Sequence, residues 1–267
     1  MVTNVVRLVA LVAAALVAAP SIAAPAACKA ASGRETVALV ELYTSEGCDS
    51  CPPADRWLSA TFGPNNPPTG AVALAFHVDY WDRLGWKDRF ATAAWTKRQY
   101  ESARAARSDL VYTPQVLIQG RDFSGWRNGS RSTAAIAELA RVPARADIAL
   151  DVAPEPGRIA VKASAHVPAS ADRKGARMFI ALTSDGLVSE VRAGENAGKR
   201  LEHDHVVRGL REVPVDDAGN AAGVVALPLP TEAGKGATVV AFVQNTETGI
   251  VLQALSLPLG PDCVLPR

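Results

Sequence analysis

The stretch from Val40 to Trp57, VELYTSEGCDSCPPADRW, decides how the N-terminal half of the chain is read. It continues an apolar run, ETVALVELYT over 35–44, whose near-unbroken Val and Leu content fits a strand buried on both faces. That run delivers the chain into Cys48 and Cys51, with Asp49 and Ser50 between them. Pro52 then opens a helix, because proline is tolerated in a helix's first turn, and Trp57, Leu58 and Phe62 fall on one side of it. Two cysteines at such a junction have a definite physical meaning. The free N–H groups and positive end of the helix favour a thiolate, and the two-residue spacing lets the sulfurs approach bonding distance. Three readings follow: a redox-active dithiol, an inert structural disulfide, or part of a metal clamp.

Working outward, GPNNPPTG over 63–70 is a loop and Ala71 to Val78 a second buried strand. An aromatic and acidic segment, DYWDRLGW, leads to a helix expected over 88–108. A third strand is expected over 116–119, a short partner strand over 123–126, and a last helix over 132–139. Strands joined by a crossover helix are expected to lie parallel, and the final pair, joined by a tight turn, antiparallel. Pro114 stands just before the third strand, where a residue without an N–H belongs. From Ala146 onward, short alternating strands broken by Pro, Gly, Asn and Asp fit an antiparallel β-sandwich. The linker is expected at Arg141 to Arg145.

The stretches ELYTSEGCDSCPPAD, AFHVDYWDRLGWKDRF, VYTPQVLIQG and GENAGKRLEHDHVVR resemble the thioredoxin superfamily and, more closely, a secreted bacterial family described as domain of unknown function 1223. The resemblance implies an α/β fold class: a thioredoxin-like domain over 33–143 with Cys-x-x-Cys, then an antiparallel β-sandwich-like domain over 146–262. It implies that Pro114 is cis and packs beside the dithiol, that Cys48 is the nucleophile and Cys51 the resolving sulfur, and that Thr113 docks a partner's backbone. The chain departs from ordinary thioredoxins in a longer span between Cys48 and Pro114 and in Pro52 and Pro53, which remove helix donors and bias Cys51 away from helical dihedrals. The helix is therefore expected to begin near Cys51, leaving Cys48 the more exposed sulfur. Glu46 and Asp49 add negative charge that opposes thiolate formation and favours the disulfide.

Composition bounds the partners. Of 28 basic residues, one is Arg7 in the leader, leaving 27 against 27 acidic residues and no footprint for polyanions. No nucleic-acid partner is expected. Residues 1–26 read as a secretory signal peptide, with an apolar run from Leu8 to Ala19 too short to span a bilayer, so a periplasmic or secreted protein without a membrane span is expected. That setting oxidises thiols. With Cys48 and Cys51 paired locally, Cys28 and Cys263 are left for each other, a staple whose loop-closure contribution is roughly 5 kcal/mol; a free or lipidated Cys28 is the alternative. Tyr80 and Trp81, with Asp79, Asp82 and Trp86, form either a rim over the dithiol or a cover for a sheet edge. His77 is read as a core residue, with copper held by His77, Cys48 and Cys51 as the alternative. His203 and His205 fall on one face if their segment is a strand. No phosphate-binding loop and no Gly-x-Ser-x-Gly elbow is present, and no cofactor or resident metal is expected. The expected function is thiol–disulfide oxidoreduction or redox-dependent binding of protein thiols and disulfides. The alternative is a non-catalytic binding or envelope-assembly module that uses the fold as scaffold.

Overall fold

In chain order the elements are strand β1 (Lys29–Ala31), strand β2 (Ala38–Thr44), helix α1 (Pro52–Phe62), strand β3 (Ala71–His77), helix α2 (Ala93–Ala105), strands β4 (Gln115–Ile118) and β5 (Arg121–Asp122), and helix α3 (Gly129–Leu139). Strands β6 (Asp147–Glu155) and β7 (Arg158–His166), the short helix α4 (Ser170–Arg173), and strands β8 (Ala176–Asp185), β9 (Leu187–Glu190), β10 (Arg200–His203), β11 (Val206–Pro214), β12 (Asn220–Pro228), β13 (Gly236–Asn245) and β14 (Val251–Pro258) follow. This computed structural model describes residues 28–63, 70–230, 236–260 and 263; the expected signal peptide, 1–26, lies outside the described residues.

The apolar run around β2 behaves as a doubly buried strand should. All seven residues are buried. Ala38, Val40 and Leu42 pack under α1 and α3 with Leu58, Phe62 and Ile136, while Leu39 and Tyr43 face Phe76, Trp95 and Phe242 on the other side. Strand β3 pairs parallel to β2, as the α1 crossover requires. Strand β4 does not follow the same rule: it pairs antiparallel to β2. The nine irregular residues after α2, 106–114, let the chain re-enter the sheet from the opposite end. The expected partner strand at 123–126 is also displaced. Strand β5 occupies Arg121–Asp122, and Ser124–Arg127 forms a 3₁₀ turn that buries Trp126. Helix α2 is shorter than its expected 88–108, because Thr92 caps it by accepting from Ala94 N–H.

The C-terminal half packs two sheets face to face, but shares one of the two with the N-terminal half. Its strands alternate as expected, but β8, β11, β13 and β14 join the N-terminal strands in one eight-stranded sheet of order β14-β13-β8-β11-β3-β2-β4-β5. The seam is the parallel contact of β11 with β3 at Val206 and Ala75. A second sheet, β1-β6-β7-β12, packs over the β8, β13 and β14 part and encloses an apolar layer that includes Ile148, Val161, Met178, Ile180 and Val239. The fold is thus α/β with mixed, mostly antiparallel sheets.

The large sheet curls until its ends touch. Gln253 Oε1 accepts from Val37 N–H at 2.8 Å, and Gln119 Nε2 donates to Val251 O at 3.1 Å. At Gly120, φ +73°, a Cβ would stand 1.8 Å from Gly249 O, so only glycine fits. Arg98 of α2 sits inside the curl, its guanidinium 5.1 to 5.3 Å from the rings of Phe76, Phe179 and Phe242, and donates to Glu41 Oε1 from Nε at 2.9 Å and Nη2 at 2.6 Å.

Candidate functional site

The C-terminal end of β2 and the first turn of α1 set the site. Cys51 N–H donates to Cys48 O at 3.2 Å, and Ala54 N–H and Asp55 N–H both donate to Cys51 O, so the helix starts at Cys51 as its Pro52 predicts. Cys51 is nonetheless helical, φ −77° and ψ −40°, despite the bias imposed by a following proline. The tight turn closed onto Cys48 outweighs that bias.

Cys48 and Cys51 are joined as a disulfide, and so are Cys28 and Cys263. The expectation that Cys48 is the more exposed sulfur is overturned: both residues are 0% exposed, although Asp49 and Ser50 between them face solvent. Trp81 closes one flank, for its Cβ lies 3.0 Å from where a Gly47 Cβ would be. Its Nε1 donates to Thr113 Oγ1 at 2.7 Å, which ties the Cys48 loop to the Thr113–Pro114 peptide bond, and that bond is cis. Tyr80, next to Trp81, donates to Gln99 Oε1 at 3.2 Å.

Behind the loop lies a cluster of buried charge. Asp88 Oδ2 accepts from Glu46 N–H at 2.9 Å and lies 2.7 Å from His77 Nδ1. Trp86 Nε1 donates to Glu46 Oε2 at 2.7 Å. His203 Nε2 is 3.2 Å from Glu46 Oε1, near enough for charge attraction but off the line of a hydrogen bond. The rings of His77 and His203 meet edge to face at 4.9 Å, with Phe90 against both. Asp55, one helical turn past Cys51, accepts from Thr44 Oγ1 at 3.1 Å. Glu46, which the sequence presents as loose negative charge, is therefore held between an indole and an imidazole.

The electrostatics follow from burial set against partners. Burial raises the Asp55 carboxyl above its usual range, and the charges of His203 and His77 only partly offset that. For Asp88 burial also pushes upward, but the His77 charge and hydrogen bond, with the N–H groups of Glu46 and Phe90, win and hold it at about 2. His77 is raised: burial lowers it, and Asp88 more than compensates. Burial likewise pushes Glu46 up, yet contact with His203 and Trp86 leaves it lowered.

His203 and His205 do not share a face. His203 ends β10 and points to Glu46, whereas His205 takes a left-handed turn, φ 58°, and its N–H donates to Asp185 Oδ1 at 2.8 Å. Among the described residues no group of three or more His, Cys, Asp and Glu side chains is arranged to hold a metal ion.

Comparison with known proteins places the chain in a family. Residues 39–244 match the model of a family described as protein of unknown function, DUF1223. The chain belongs to the DUF1223 family. No curated protein matches it. Among solved structures, a protein of Agrobacterium tumefaciens is similar at 24% identity and TM-score 0.58, with 85% of this chain and 96% of that one covered. HBP35 of Porphyromonas gingivalis is similar at 12% identity and TM-score 0.62, covering 84% and 75%. At these identities the likeness is one of fold. The DUF1223 match takes in Cys48, Cys51, Thr113, Pro114 and the histidine segment at 203–205, so the site lies within the family's own span.

The buried pair makes a prediction about pH. Asp88 has a depressed pKa, so its contribution is present above the unfolded carboxylate value and is lost as pH falls through about 2. His77 has a raised pKa, so its contribution is present below about 6.5 and is lost as pH rises through the folded value. Asp88→Asn should therefore cost most stability between about pH 4 and 6.5, on the order of 2 kcal/mol. Urea unfolding at pH 2.5, 5.5 and 9 checks it; a cost independent of pH refutes the pairing.

Proposed function

We propose that this protein exchanges disulfides with protein thiols through Cys48 and Cys51, on a thioredoxin-like arrangement of β2, α1 and the Thr113–Pro114 segment, in an exported protein. The observation that carries the reading is the convergence of three elements: a disulfide at the start of α1, a cis Thr113–Pro114 bond tied to the same loop through Trp81, and a buried acid–imidazole cluster behind them.

In the oxidised protein a partner thiolate attacks Cys48 Sγ. A new sulfur–sulfur bond forms, the Cys48–Cys51 bond breaks, and Cys51 leaves as a thiolate. Asp55 lies one turn along α1 from the leaving Cys51, its carboxyl pKa raised by burial. A second thiol of the partner then attacks the mixed disulfide, leaving Cys48 reduced and the partner oxidised. The steps reverse when the reduced protein meets an oxidised partner. Trp81 and Thr113 border the loop a partner would approach, and Tyr80 stands beside Trp81.

A second reading has its own support: with both sulfurs fully buried, the disulfide is placed as an inert staple would be, and the domain would serve as a binding scaffold. Equilibration of the folded protein with millimolar dithiothreitol, followed by acid quench and thiol-specific mass labelling, separates the two. Exchange chemistry predicts a reversible dithiol at Cys48 and Cys51 with Cys28–Cys263 intact. A Cys48–Cys51 bond that resists reduction until the protein unfolds supports the staple.

A further inference from the structure

Beside the dithiol, one buried side chain comes from a stretch that otherwise faces solvent. Glu195, Ala197, Gly198, Lys199 and Arg200 are exposed, yet Asn196 among them is 0% exposed. Its Nδ2 donates to the carbonyls of both Glu46 and Cys48 at 2.8 Å, and its Oδ1 accepts from Lys199 Nζ at 2.8 Å. Next to it, Glu195 Oε2 accepts from Asp49 N–H at 3.1 Å. A carboxamide suits this place: its NH₂ offers two donors to two carbonyls, which a carboxylate lacks.

The stretch connects β9 to β10 and is closed on itself. Val191 N–H donates to Lys199 O at 2.9 Å and Gly198 N–H to Val191 O at 2.8 Å. Gly194 and Gly198 bracket Asn196 with φ of +73° and +82°, conformations glycine adopts without strain. Val191 and Leu201 are buried at its base, but between them only Asn196 reaches the interior. Its hold on the Cys48 loop therefore rests on a few hydrogen bonds and little apolar area, the kind of contact that opens well below the cost of global unfolding.

We propose that residues 192–199 form a cover on the dithiol, with Asn196 as its latch, and that release of this latch determines whether a bulky thiol or disulfide reaches Cys48. The proposal rests on the exchange reading for its purpose only. The latch is a physical property, measurable without any partner.

The test uses the full oxidised chain and tris(2-carboxyethyl)phosphine as the reductant, sampled by acid quench and mass labelling at each cysteine pair. Asn196→Ala removes both bonds to the loop, so Cys48–Cys51 should be reduced roughly tenfold faster or more than in the parent. Cys28–Cys263, in the same molecule, should be reduced at the parent rate. Equal rates for Cys48–Cys51 in parent and variant overturn the latch, and so does acceleration of both disulfides together, which signals general loosening. Glu195→Ala alters an exposed side chain and tests the same cover without risk to the core: a smaller acceleration confined to Cys48–Cys51 is expected, and none overturns the proposal if Asn196→Ala fails to fold. A confirmed latch without partner adducts sinks the exchange reading alone, and adducts without a latch sink the cover alone.

Discussion

An affinity-tagged Cys51→Ser protein, expressed in its source cells and quenched in acid, should accumulate partners joined covalently to Cys48. Exchange passes through a mixed disulfide that the second cysteine resolves within the same molecule, and without Cys51 the intermediate has no internal exit. The adducts should run as slow bands on a non-reducing gel, collapse on reduction, and vanish in the Cys48→Ser/Cys51→Ser double variant. The change is from transient to persistent, which makes it the largest effect expected of any substitution at the site. Cys28 and Cys263 are disulfide-bonded to each other and stay out of the reaction while that bond holds. The comparison is repeated with both replaced by serine, so that a chance adduct on Cys28 is recognised. Absence of a Cys48-dependent adduct in both backgrounds refutes disulfide exchange and leaves the scaffold reading.

The second large effect concerns stability. Glu41 is 0% exposed and Arg98 8% exposed, and the guanidinium that neutralises Glu41 is enclosed by three phenylalanine rings. Arg98→Ala leaves a buried carboxylate whose Oε2 already has no hydrogen-bond partner. Loss of one member of a buried pair costs about 3–5 kcal/mol, because an uncompensated charge stays behind. For a chain of this size that lowers the melting temperature by on the order of 10 °C. The double variant Glu41→Gln/Arg98→Met, which removes both charges and keeps similar volume, should recover much of the loss. Chemical denaturation of the single and double variants checks this, and a single-variant cost below about 1 kcal/mol shows that Glu41 reaches water or another partner.

The parts of the fold visible in sequence are those in which one residue type carries the signal by itself. The Val and Leu run around β2, the alternation of β6 and β7, and Pro52 at the head of α1 were legible because each is a local rule. The seam between Val206 and Ala75 was not. Pairing partners across 131 positions leave no local trace, and strands of a shared sheet look like strands of separate ones. The site divides in the same way. Cys48 and Cys51 stand out by spacing, Thr113 and Pro114 by the resemblance to thioredoxins, and Trp81 by its place in the aromatic segment. Asp88 and Asn196 do not, since a polar residue in a polar loop reads as solvated until its neighbours are known. Glu46 read as loose charge for the same reason: its charge was visible, and the Trp86 and His203 groups that hold it were not. His77 offered the best clue, an ionisable ring inside an apolar strand that needs a counterpart, here Asp88 eleven residues later.

The bond between Cys28 and Cys263 turns nearly the whole described chain into a covalent ring, because 235 positions separate its two ends. A protease that cuts one exposed loop of a ring opens it and detaches nothing, and the two new ends stay tethered on either side of the cut. The eight-stranded sheet strengthens this, since strands from both halves of the sequence lie side by side in it. A nicked molecule would therefore keep its mass, its sheet and its buried dithiol together, and only a second cut or reduction of the closing bond would release a fragment. The same connectivity means that the starting point of the chain is arbitrary as far as the fold is concerned: new termini opened in a surface turn, with the old ones joined across the Cys28–Cys263 bond, describe the same object.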